Sequence, residues 1–81
     1  MENNRKYFTL VQYYETLDKW MIEFGDYDRT CVIFELEDYK DHGVKSKNLK
    51  IIQTSDKGKD INAAVDALNG YNPDLVERKV K

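Results

Sequence analysis

Eight consecutive residues, Tyr7 to Tyr14, are aromatic, β-branched or leucine except for Gln12. Such side chains fit a pleated strand and lose rotamer freedom in a helix. A second run, Trp20 to Phe24, follows after the short segment Glu15-Thr16-Leu17-Asp18. This spacing predicts a β-hairpin with a loop of about four residues. Strict alternation along the second strand would put Trp20, Ile22 and Phe24 on one face, with Met21 and Glu23 on the other. A lone hairpin is barely stable in water, so the rest of the chain must cover it.

Leu49–Thr54 reads as a third strand. Residues 59–69 read as a helix, because Ile61, Ala64, Val65 and Leu68 form one apolar stripe and Gly70 follows as a stop signal. Residues 28–42 fit two patterns. As a helix, Val32, Leu36 and Tyr39 share a stripe, Asp26 or Asp28 caps the start and Gly43 ends it. As a strand, Val32, Phe34 and Leu36 alternate with Ile33, Glu35 and Glu37. The helix is preferred, because a strand leaves Glu37–His42 without a role. Asn72-Pro73-Asp74 resembles a fresh helix start, so residues 71–81 would form a short C-terminal helix or a tail.

The expected order is β-β-α-β-α. It implies an α+β, two-layer sandwich: a three-stranded sheet with helices on one face, its third strand beside the first and parallel to the second. A four-stranded meander with one packed helix is the alternative.

The chain has 81 residues, enough for a single domain with one core. Cys31 is its only cysteine, so no internal disulfide is possible and a reducing, cytoplasmic setting is expected. The residues after Met1 do not read as a signal peptide, and no apolar run approaches the roughly 20 residues that span a bilayer.

The net charge of −2 hides an asymmetry. Residues 15–41 carry nine acidic and three basic side chains, whereas residues 42–81 carry five acidic and eight basic ones. This distribution bears on association rather than on fold.

No motif carries chemistry, so the expected function is non-enzymatic, with no catalytic residue, metal or cofactor. His42 is the only histidine, and no second ligand stands at zinc spacing. Cys31 and His42 would form a nucleophile–base pair only if the fold joined them, yet on one helix they lie turns apart. Asp26-Tyr27-Asp28 lacks the later glycine and acid of a calcium loop. Gly58-Lys59 lacks the frame of a phosphate loop. Tyr7, Tyr13 and Tyr14 could stack bases near Lys45, Lys47 and Lys50. A pI near 5.3 argues against nucleic acid, whose binding draws on clustered Lys and Arg.

Two surfaces remain. If both helices cover the face bearing Phe8, Leu10, Trp20, Ile22, Phe24 and Ile51, the other face presents Tyr7, Val11, Tyr13, Met21 and Ile52, beside Thr9, Glu23 and Lys50. That face is apolar enough to suggest a protein-interaction module that binds a partner protein or a second copy of itself, unless Leu75, Val76 and Val80 fold over it. The other candidate is the acidic group Glu35, Glu37, Asp38 and Asp41. Its carboxylates could imitate nucleic-acid phosphates and inhibit a basic partner.

Overall fold

The computed structural model describes residues 5–69. The elements expected at 71–81, the stop at Gly70 and any cover from Leu75, Val76 and Val80 lie outside the described residues. The order is β1 (Lys6–Tyr14), β2 (Lys19–Asp26), α1 (Arg29–Asp41), a short 3-10 turn (Ser46–Asn48), β3 (Leu49–Ser55) and α2 (Gly58–Leu68). The sheet runs β2-β1-β3, antiparallel throughout. β3 therefore lies beside β1 and parallel to β2, the α+β arrangement that the sequence implies.

The turns follow from local chemistry. Tyr14 O accepts the N–H groups of Leu17 and Asp18 at 3.0 and 2.8 Å. Asp18 takes a left-handed φ of 53°, which a short polar side chain tolerates. Residues 28–42 settle as helix because both ends are capped. Asp28 Oδ1 accepts the Thr30 N–H at 2.9 Å. At the far end Gly43, with φ 103°, donates to Lys40 O at 3.0 Å, and Val44 donates to Tyr39 O at 3.1 Å. This paired closure needs a left-handed residue after the cap, which glycine supplies without a Cβ penalty.

The helices do not share one face. Phe8 and Leu10 cluster with Val32 of α1 and with Leu49, and Phe24, Leu36, Tyr39 and Ile51 pack against them. Val11, Tyr13 and Trp20 cluster with Val65 of α2, joined by Ile52 and Leu68. Leu10 and Val11 are neighbours on a strand and point to opposite sides. The two-layer expectation is thus corrected: α1 covers one face of the sheet and α2 the other.

A β-bulge in β2 underlies the difference. Leu10 pairs with Phe24, but Val11 pairs with Ile22, so Glu23 is an extra residue in β2. The alternation of β2 breaks there. Phe24 stays on the α1 side, whereas Trp20 falls on the α2 side and Ile22, opposite Val11, is half exposed. β1 is the central strand and is buried on both sides, with Phe8, Thr9, Leu10, Val11 and Tyr13 all inside.

Candidate interaction surface

Splitting the helices removes the apolar sheet face as a surface. Val11 is fully buried and Tyr13 is 4% exposed, both beneath α2. Ile52 is half-buried against the same cluster. Tyr7 is half-buried: its ring lies over Gly25, where an added Cβ would come within 2.8 Å of it. It also meets Tyr27 edge-on at 5.0 Å. Met21 sits opposite Gln12, and so on the α1 side, and is exposed. The five residues expected on one open face are therefore divided between two covered ones. Glu23 leaves that set too, because its carboxylate binds Tyr14 on β1 and Tyr39 on α1.

The acidic group fares differently. Val32, Leu36 and Tyr39 turn one stripe of α1 to the core, as their spacing predicts. A helix advances about 100° per residue, so Phe34 and Asp41 stand on the opposite side. Phe34 is 69% exposed, the most exposed of the large apolar side chains among the described residues. Its neighbours at i+3, i+4 and i+7 are Glu37, Asp38 and Asp41, all exposed. Glu35 lies on the flank and is half-buried. The fold thus brings together three of the four expected acids and adds Phe34, which the sequence reading leaves out. The signal was present, because Phe34 falls opposite the core stripe once residues 28–42 are taken as helix.

Cations only partly offset these acids. Lys40 approaches Glu37 at 4.0 Å, and His42 Nδ1 approaches Asp38 Oδ1 at 3.8 Å, with all four side chains exposed. Such pairs contribute little in water. The Asp38 backbone carbonyl, 2.8 Å from His42 Nδ1, and then the Asp38 carboxylate hold His42 above its ordinary pKa, against a smaller desolvation effect. A raised pKa favours the fold below the unfolded value, and that contribution fades as pH rises through the folded one.

Beneath this helix lies a polar clamp. Tyr14 donates to Glu23 Oε2 at 2.5 Å, and Tyr39 donates to Glu23 Oε1 at 3.2 Å. The hydrogen bond to Glu23, and then burial, push the Tyr14 phenol up to about 12. Tyr39 is raised first by burial and then by the same carboxylate. The bulge residue thereby ties β1, β2 and α1 together.

Cys31 and His42 lie eleven residues apart along α1 and its cap, about 16 Å at helical rise. They form no nucleophile–base pair. Burial, followed by Asp26 and Asp28, pushes the Cys31 thiol up, which makes it a poorer nucleophile at neutral pH. Among the described residues no group of three or more His, Cys, Asp or Glu could hold a metal. No helix there is long and apolar enough to cross a membrane. Compared with known proteins, the chain matches no family model, no curated protein and no solved structure.

Proposed function

We propose that this chain is a non-enzymatic interaction module that receives a basic partner protein on the outer face of α1. The observation that carries this reading is Phe34, held in water on a stripe shared with Glu37, Asp38 and Asp41. An apolar ring leaves water when a partner covers it, and the carboxylates around it select a cationic surface. The same carboxylates oppose a second copy of α1, because identical acidic stripes repel. An acidic mimic of nucleic acid is the version of this reading that the charges favour. Enzyme chemistry draws no support from the separated Cys31 and His42.

The test uses the full chain as bait in an extract of its native host across a salt series. Wild type is expected to retain a basic polypeptide that salt releases. Phe34→Ser and the combined Glu37→Gln, Asp38→Asn, Asp41→Asn variant should each lose it. Retention of the same polypeptide by both variants would contradict the proposal.

A further inference from the structure

The sheet ends in two edges, and they are protected unequally. At the β2 edge, Trp20 gives its N–H to Asn69 Oδ1 at 2.7 Å, so the end of α2 covers that position. The bulge at Glu23 breaks the line further along, and Glu23 and Asp26 carry charge. Bulges, covers and charges are the devices that keep an edge from pairing. The edge at β3 is longer and more regular. Its seven residues contain neither glycine nor proline and pair with β1 without a register shift. Among the described residues no strand lies on its outer side. Because the Trp20 N–H turns away from Tyr13 opposite it, Tyr13 turns its own N–H and C=O to the β3 side. Alternation along β1 then bonds Lys50, Ile52 and Thr54 to β1 and turns the backbone N–H and C=O of Ile51 and Gln53 outward.

From this edge we infer that β3 receives an extended acidic segment of a partner protein as a fourth strand. The charge around the strand selects that partner. Lys45 and Lys47 precede it, Lys50 lies within it, and Lys57 and Lys59 follow it. All but the half-buried Lys50 are exposed. The neighbouring carboxylates have partners of their own. Asp56 accepts the Tyr27 hydroxyl at 3.0 Å, and Asp60 accepts the Ser55 hydroxyl. Glu15 accepts the Asn48 side-chain amide at 2.9 Å and lies 3.7 Å from Lys45. The cations outnumber these acids, and Lys57 and Lys59 pair with no carboxylate among the described residues. Backbone bonds at Ile51 and Gln53 hold the segment, while Ile51 and Ile52, half-buried on opposite faces, meet apolar side chains in its middle. A second copy of β3 fits poorly, because antiparallel pairing centred on Ile52 sets Lys47 of one chain beside Lys57 of the other. This surface is separate from the α1 stripe and takes the opposite charge, so the inference stands without the basic partner.

The probe is a capped heptapeptide, Glu-Glu-Val-Thr-Val-Glu-Glu, added to the isotope-labelled full chain, with amide hydrogen exchange read residue by residue. The Ile51 and Gln53 amides should exchange fast in the free chain and slow at least about tenfold at saturating peptide. The Lys50 and Ile52 amides, already bonded to β1, serve as the reference. Glu-Glu-Pro-Pro-Pro-Glu-Glu keeps the charge and loses the central donors, whereas Lys-Lys-Val-Thr-Val-Lys-Lys keeps the backbone and inverts the charge. Each should bind at least about tenfold more weakly. On the chain, Gln53→Pro removes an outward donor and no bond to β1, and should weaken the acidic peptide about tenfold. Lys57→Gln with Lys59→Gln, both on exposed side chains, should weaken it about threefold at low salt. Absent slowing by the acidic peptide, or equal slowing by either control peptide or by an oligothymidylate, would overturn the inference. Slow exchange at Ile51 and Gln53 without peptide would overturn it too, because the chain itself or, where dilution restores fast exchange, a second copy then covers the edge.

Discussion

The two sides of the sheet are built differently. On the α2 side one aromatic residue dominates. Trp20 is 1% exposed, lies 5.4 Å from Tyr13 and packs with Val11 and Val65. Its backbone N–H donates to Asn69 Oδ1 at 2.7 Å, which ties the end of α2 to β2. On the α1 side smaller apolar residues share the work with a polar clamp, in which the bulge residue Glu23 holds two tyrosine hydroxyls. The α1 side is also where Phe34 and the acidic stripe lie. Both helices cover the sheet with one stripe, and the outer stripe of α2 carries only small or polar residues such as Asn62, Ala63 and Asp66. The outer stripe of α1 differs in holding a large exposed ring, Phe34, among carboxylates.

The contrast can be broken most severely at Trp20. Trp20→Ala should cost about 3–5 kcal/mol, measured by denaturant unfolding, because a large buried ring leaves a cavity that the sheet cannot close. A loss below about 1 kcal/mol would show that α2 is not anchored there.

Gly25→Ala should cost about 1–3 kcal/mol, since the new Cβ would meet the Tyr7 ring within 2.8 Å and push it off Tyr27. An unchanged unfolding midpoint would mean that Tyr7 moves aside freely.

Glu23→Gln sharpens the polar half of the comparison. It should lower stability by roughly 1–2 kcal/mol and bring the Tyr14 phenol down from about 12 towards its ordinary value near 10. In the unaltered protein the raised phenol favours the fold at every pH below the unfolded value. That advantage is lost as pH rises from about 10 through the folded value of about 12. Phenolate absorbance against pH measures the shift, and identical titrations of both proteins would remove Glu23 from the account.

Phe34→Ser should be the mildest change. Stability should stay within about 0.5 kcal/mol, because the exposed ring packs on nothing that folding requires. A loss above about 2 kcal/mol would place the ring in the core instead.

Much of this architecture was legible in the chain. Strand chemistry at Tyr7–Tyr14 and Leu49–Thr54, the cap at Asp28, the stop at Gly43 and the stripe of α2 all follow from local rules. The division of the helices between the two faces is hidden from local rules for two physical reasons. A bulge inserts one residue without a strong local signature, and Glu23 looks like an ordinary outward side chain until its tyrosine partners are placed. One clue does lie in the sequence: Tyr7–Tyr14 is apolar almost without alternation, the mark of a strand buried on both sides. For the same reason the expected open face at Val11 and Tyr13 became core. Helical spacing alone places Glu37, Asp38 and Asp41 together on α1 and leaves Glu35 on the flank. Asn48 was out of reach of sequence, since its contact with Glu15 spans 33 positions.

The separation of the two helices by the sheet is best tested with through-space methyl contacts in solution. The Val32 methyls should see Leu10 and Phe8, and the Val65 methyls should see Trp20 and Val11, with no cross-peak linking Val65 to Leu10. Strong contacts from both valines to Leu10 would stack the helices on one side, reopen the face bearing Val11 and Tyr13, and contradict the account.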